Sequence, residues 1–171
     1  AGEPIEGYEV LDLMTALVDK SLVLAEAQPD GSFRYRMLET LRQYGAERLA
    51  LMTDGDIAAS HSHFYAGLAE RLAPLCRTAE QLEALAQFET EHGNFRAVLN
   101  RTSQSTTLAL AMQVLGGLST FWYQRGYWLE AKAWLDKWLD DSPELELPGY
   151  VMALGRRGFL TSSLGNPTEG Y

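Results

Sequence analysis

Apolar positions recur at three- and four-residue steps through most of this chain, the pattern of helices that each bury one face. From Tyr8 to Val18 the residues Val10, Leu13, Met14, Leu17 and Val18 fall on such a face. The period then changes. Ser21 to Leu24 and the alternating Phe33-Arg34-Tyr35-Arg36-Met37 flank Gln28-Pro29-Asp30-Gly31, which predicts two strands around a Pro/Gly turn over about residues 21–37. A single hairpin is marginal in water, so helices on either side are expected to support it as one unit, residues 1–54.

Helical spacing resumes from about Leu38 to Met52, with Leu38, Leu41, Leu49 and Met52 as the stripe and Gly45 as a close-packing or weakening point. Another helix is expected from about Ile57 to Leu75, carrying Phe64, Tyr65, Leu68 and Leu72 and stopped near Pro74. Thr78-Ala79-Glu80-Gln81 fits a capping box and predicts a helix start there. The stripe Leu82, Leu85, Phe88 continues through Phe95, Val98 and Leu99, and Gly93 leaves open whether residues 79–100 are one helix or two. From Leu108 to Trp122 the apolar arc is wide enough to need neighbours on two sides. Gly126 marks a turn, and Trp128, Ala131, Leu135, Trp138 and Leu139 define a partner helix ending before Pro143. A last helix is expected from about Tyr150 to Leu164, before the turn Gly165-Asn166-Pro167.

The stretch from Leu115 to Pro143 resembles a tetratricopeptide motif. Leu115, Leu118, Ser119 and Trp122 occupy the first-helix pattern, Gly126 the turn, and Ala131, Leu135 and Pro143 the second-helix pattern. Small residues at Ser119 and Ala131 would let two helices approach closely. Trp138 stands where the motif usually has a small residue, so looser or rearranged packing is expected there. Leu154, Gly158, Gly165 and Gly170 repeat Leu115, Ser119, Gly126 and Ala131 at a displacement of 39 residues. The usual period is about 34, and the loop Pro143 to Gly149 can absorb the excess.

The predicted fold is therefore mostly α: a partial winged-helix unit with one β-hairpin, then antiparallel tetratricopeptide-like hairpins over residues 55–171. These are expected to form a right-handed α-α superhelix whose last repeat is truncated. A truncated repeat lacks the neighbour that buries its outer face, which makes homodimerisation through this C-terminal repeat an expectation. The chain opens on Ala1-Gly2 without methionine and stops in a helical pattern, so a larger parent protein is also expected.

Charge narrows the function. The net charge is -9, and residues 1–54 hold five basic side chains against ten acidic ones, a poor basis for gripping phosphates. No apolar run approaches the roughly 20 residues that span a bilayer, and the N-terminus has no signal-peptide pattern, so no membrane partner is expected. The single cysteine, Cys76, cannot close an internal disulfide, which fits a cytoplasmic location; it is expected to be a small buried hydrophobe. His61, His63 and His92 lack metal-ligand spacing, and no nucleophile, base and oxyanion-donor set identifies a hydrolase. The densest local feature is aromatic. Trp122 and Trp138 are expected in packing, while Tyr123, Tyr127 and Trp134 are candidates for a protein-contact surface.

Two segments carry a more specific resemblance. Val10 to Leu24, with its Asp19-Lys20-Ser21-Leu22 turn, and Arg34 to Leu49, with Leu38-Glu39-Thr40, are similar to the end of the winged-helix segment in bacterial STAND-class signalling ATPases. Glu91-His92-Gly93-Asn94-Phe95-Arg96-Ala97 is similar to the stretch preceding their helical repeats, with Gly93 in place of an aspartate. Many such proteins are transcriptional regulators. The resemblance implies a non-catalytic regulatory segment that transmits signals between an ATPase switch and a sensor, in contact with the rest of its parent and with a protein partner or inducer. ATP is implied upstream in the parent. This sequence has no G-x-x-x-x-G-K-[ST] stretch, so no cofactor is expected here, nor direct nucleic-acid binding. The alternative is a winged-helix DNA-binding domain of a transcription factor.

Overall fold

A computed structural model describes residues 7–28, 31–51, 55–101, 105–140 and 150–165. The chain divides into two compact units, Ala1–Asp54 and Gly55–Tyr171.

In the first unit, helix α1 (Gly7–Asp19) leads into strands β1 (Val23–Ala27) and β2 (Phe33–Met37), followed by helix α2 (Glu39–Leu51). The Asp-Lys-Ser-Leu turn has a physical role. Ser21 adopts a left-handed conformation at φ 56°, its N–H donates to Val18 O at 2.8 Å, and the Leu22 N–H donates to Leu17 O at 3.0 Å. This is the paired bonding of a Schellman motif, which satisfies the orphan carbonyls of α1 and turns the chain into β1. The strands pair antiparallel with Val23 opposite Met37 and Ala27 opposite Phe33. Helix α1 packs on β1, but α2 makes no comparable contact with the hairpin among the described residues. The support expected from both flanking helices thus comes from one. The described side chains of α2 are mostly polar and exposed, with Leu41 half-buried, and the expected stripe residues Leu49 and Met52 lie outside the described side chains.

The second unit is a two-layer array of α3 (Gly55–Leu75), α4 (Gln81–Asn100), α5 (Ser105–Arg125), α6 (Trp128–Asp140) and α7 (Tyr150–Ser163). Each helix packs on the next in sequence, and α5 also packs on α3 and on α7. Contacts between successive and between alternate helices are the packing of a helical-repeat stack, and a two-residue link between α5 and α6 makes them antiparallel neighbours. Gly126 in that link sits at φ 78°, and the Tyr127 N–H closes on Trp122 O at 2.9 Å. Helix α4 runs unbroken through Gly93, so residues 81–100 are one helix. The core joins α3 to α7, with Phe88, Phe95 and Phe121 fully buried. Phe88 lies 5.5 Å from Phe95 and 5.4 Å from Phe121, and Tyr65 meets Phe95 edge-on at 5.6 Å, an aromatic chain from α3 through α4 to α5.

Several local expectations are corrected. The capping box does not form: Thr78 lies in the turn before α4, whose N-cap is Glu80 with no side-chain cap. The Thr78 hydroxyl donates to Leu75 O and its oxygen accepts from the Glu80 N–H at 3.3 Å, so it takes an orphan amide as expected, but Gln81 reaches back to Cys76 O at 2.7 Å instead of returning the bond to Thr78. Gly45 is not a close-packing point, because a Cβ there would meet nothing within 4 Å. The close approach is at Gly117, where a Cβ would stand 2.7 Å from the Cβ of Ala69 on α3. Leu154, aligned with the buried Leu115, is 41% exposed, so the second repeat does not reproduce the burial of the first at that position. The loop Pro143 to Gly149, and Gly170, lie outside the described residues.

Candidate recognition surface

The hairpin presents two unlike faces, because residues opposite each other in a ladder share a side. Val23, Ala25 and Ala27 share one with Met37, Tyr35 and Phe33, and Phe33 is 60% exposed. The other side carries Leu24 and Glu26 with Arg36 and Arg34, and Arg36 pairs with Glu26 at 2.9 Å. In α2, Arg42 is bound bidentately by Glu39 at 2.8 and 2.6 Å. Helix α1 contains Glu9, Asp12 and Asp19 and no basic residue. The unit has few cations, and two of its arginines, though largely exposed, are paired with carboxylates.

In the second unit, α5, α6 and α7 enclose an apolar slot. Trp122 and Tyr123 come from α5, Trp128 and Ala131 from α6, and Arg156 and Phe159 from α7. Tyr123 stacks almost parallel on Trp128, with 5.7 Å between centroids and 8° between planes, and the Trp128 indole donates to Tyr123 O at 3.1 Å. That bond fixes the Trp128 ring as one wall. The Trp122 side chain is buried, yet its indole N–H has no acceptor among the described residues. Buried donors are nearly always paired, which marks this one out.

Among the described residues no ring contact joins Tyr123, Tyr127 and Trp134 to one another. Tyr123 is 52% exposed beside the slot. Tyr127 packs on His92 at 4.7 Å and donates to Glu89 at 2.5 Å. Trp134 donates to Glu130 at 3.3 Å and lies against the core. Glu130, which sequence reasoning missed, is the hub of this side. It takes both guanidinium bonds of Arg96, at 2.7 and 2.5 Å, and thereby ties α4 to α6. His92 Nε2 lies 3.2 Å from the same carboxylate, within ion-pair reach but without hydrogen-bond alignment. Burial depresses the His92 pKa, outweighing the attraction of Glu130. Burial alone would raise the Glu130 pKa, but Arg96 and His92 hold it below the usual carboxylate value. Only the early position of Glu130 in α6, where a carboxylate suits the helix N-terminus, could have drawn attention to it.

The Glu91 to Ala97 stretch is thus built into helix packing. Glu91 accepts from Asn94 at 2.6 Å and from Tyr65 of α3 at 3.1 Å, while His92 and Arg96 face α6. His61 sits 3.0 Å from Arg101 Nη1, and burial followed by that positive charge lowers its pKa. Neutral His61 can then accept from the guanidinium. Cys76 is fully buried, and burial pushes its thiol pKa up, so it packs as a small hydrophobe. Among the described residues no three His, Cys, Asp or Glu side chains gather in a metal-binding cluster, and no helix is long and apolar enough to cross a membrane.

The helix, hairpin and helix of the first unit define a winged-helix segment, and residues 5–50 match the winged helix-turn-helix domain family. Three curated relatives are similar over both units: one from Mycobacterium bovis and two from strains of Mycobacterium tuberculosis, each bearing the name of a candidate HTH-type transcriptional regulator. Each is 36% identical over 142 residues, covering 82% of this chain. The chain spans 16% of the length of these relatives. No solved structure gives a significant match.

Proposed function

We propose that this chain serves a transcriptional regulator of the STAND class as its non-catalytic interaction arm. The winged-helix unit transmits the state of an ATPase switch, with ATP held elsewhere in the parent, and tetratricopeptide-like helices in the cytoplasm receive a protein partner or inducer. The observation that carries this proposal is the continuous likeness to named regulators across both units, joined to stacked helices that offer an open aromatic surface. Tyr123 is the contact residue of that surface, while Tyr127 and Trp134 support it from the α4 and α6 side. The outer face of α7, with Leu154 and Leu164 exposed, serves homodimerisation, which sedimentation at rising concentration measures. In the full regulator, Tyr123→Ala should abolish the transcriptional response to inducer while the melting transition holds. An unchanged response overturns the proposal.

A second function, direct DNA binding, is favoured by the match of residues 5–50 to a winged helix-turn-helix domain. Against it stand an α1 without basic residues and the acidic surplus of residues 1–54. A gel shift with this chain at low micromolar concentration and low salt decides between them. No retarded band is expected, whereas a band that dissolves with rising salt establishes the DNA-binding function.

A further inference from the structure

Acidic residues outnumber Lys and Arg in this chain, 23 against 14, yet the helices of the second unit divide them unequally. Helices α4 and α6 hold Glu83, Glu89, Glu91, Glu130, Asp136 and Asp140. Helices α5 and α7 hold no acidic residue and carry Arg125, Arg156 and Arg157. Arg125 and Arg157 turn to the acidic helices, where Glu89 and Asp136 pair with them. Arg156, and Arg77 in the turn after α3, pair with no carboxylate among the described residues. These two flank one face of α5. Gly116, Thr120 and Tyr123 follow at four- and three-residue steps and so share a side of that helix. Arg77 reaches this side from the end of α3, its Nη2 3.5 Å from the Thr120 hydroxyl. Arg156 and Phe159 reach it from α7, beside Gly116 and Tyr123. The face is open: a Cβ on Gly116 would meet nothing within 4 Å, and the Tyr123 and Phe159 rings are both exposed.

We propose that this face docks an acidic peptide segment of a partner protein. Its carboxylates pair with Arg77 and Arg156, and an apolar side chain lies on the outer faces of Tyr123 and Phe159, so no group enters the slot beneath. Charge complementarity carries the choice of partner. The helices around these two guanidiniums supply no carboxylate, in a molecule that answers Arg96, Arg125 and Arg157 from within. A guanidinium offers five donors in a planar fork that matches a carboxylate, and the long Thr120 contact engages one nitrogen of Arg77. Tyrosine and arginine are also the residues favoured in interface hot spots. A nucleic acid fits less well, because two cations in a chain of net charge -9 answer a few carboxylates but not a continuous phosphate backbone.

The proposal rests on the partner-receiving role given to this unit above, yet it is measured on this chain without any transcriptional output, so either can fail alone. A random peptide library displayed on phage is selected against the immobilised chain, and the enriched peptides are synthesised with a fluorophore and titrated by polarisation. Enriched sequences should combine several Asp or Glu residues with an aromatic residue or leucine. Arg77→Gln and Arg156→Gln should each weaken their binding about tenfold. Arg77 is exposed and Arg156 half-buried, so both variants keep the fold, which a melting curve checks. Arg125→Gln removes the same charge from a side chain turned to Glu89 and should leave the affinity unchanged. Failure to enrich acidic peptides overturns the proposal, as does equal weakening by Arg125→Gln or an affinity that neither Arg77→Gln nor Arg156→Gln moves. An oligothymidine strand that binds through these two arginines more tightly than the selected peptides overturns it in favour of nucleic acid.

Discussion

The indole N–H of Trp138 donates to the carbonyl of Leu99 at 3.1 Å, a bond between residues 39 apart in sequence. Leu99 belongs to the last turn of α4, where carbonyls have no partner within the helix. The bulky Trp138 side chain therefore ends α4 from outside. Trp138 is only 6% exposed, so the bond is shielded from water. Trp138→Phe keeps most of the ring and strands the carbonyl, and should cost about 1–2 kcal/mol in urea unfolding. Trp138→Ala adds a cavity and should cost about 3–5 kcal/mol. Equal losses for the two would deny the hydrogen bond any role.

Glycine substitutions separate two roles that sequence alone confuses. At Gly117 a new Cβ would lie 2.7 Å from the Ala69 Cβ and 2.9 Å from the Ala69 carbonyl oxygen, and backbone cannot swing away. Gly117→Ala should destabilise by about 1–3 kcal/mol despite the better helix propensity of alanine. At Gly93 a Cβ meets nothing within 4 Å, so Gly93→Ala should stabilise by about 0.5–1 kcal/mol. Thermal melts of the pair must move in opposite directions.

The contrast shows what was legible in the sequence. Helix spans, the hairpin and the antiparallel α5/α6 pair followed from periodicity, because apolar spacing records which face is buried. Gly117 and Gly93 look alike in that code, since only the path of a neighbouring helix decides whether a missing side chain matters. Thr78 does take an orphan amide, from Glu80, but the Cys76 carbonyl at the end of α3 claims the Gln81 side chain that would have returned the bond. Of the aromatic candidates, Tyr123 kept an exposed face, while Tyr127 was drawn into a bond with Glu89 of α4 and Trp134 into one with Glu130, a turn earlier in its own helix. The slot was invisible for the same reason: Trp122 and Arg156 come together only through the packing of α5 and α7.

The Arg96 and Glu130 pair should be asymmetric to mutation. Arg96 is half-exposed, but its loss leaves the mostly buried Glu130 carboxylate without its main partner, so Arg96→Ala should cost about 2–3 kcal/mol. Glu130→Ala removes that buried charge, and water answers the half-exposed Arg96 and the partly exposed Trp134 indole, so it should cost about 0.5–1 kcal/mol. A double-mutant cycle with Arg96→Ala should return a coupling of about 1 kcal/mol, and additivity would show that the clamp between α4 and α6 is energetically idle.

The buried His92 and the partly buried His61 set the response to acid. His92 is held neutral first by burial, with Arg96 pushing the same way and Glu130 and Glu89 pulling against them; its folded pKa is depressed. His61 is depressed by burial and by Arg101. An unfolded histidine titrates near about 6.5, so below that value the unfolded chain binds protons that the fold resists. The stability this contributes is fully present above about pH 6.5 and is lost as pH falls through the depressed folded values. Glu130 acts in a lower window: its folded pKa lies below the usual 4.5, so its contribution persists above that pH and disappears beneath it. Stability should therefore decline in two stages, first from the histidines and then from the carboxylate. His92→Phe retains a ring against Phe121 and Tyr127 but cannot titrate, and should flatten the first stage when urea midpoints are compared between about pH 7.5 and 5.5. With His61→Phe added the slope should nearly vanish there, and a wild-type midpoint that does not move across that range would show that neither ring resists protonation in the fold.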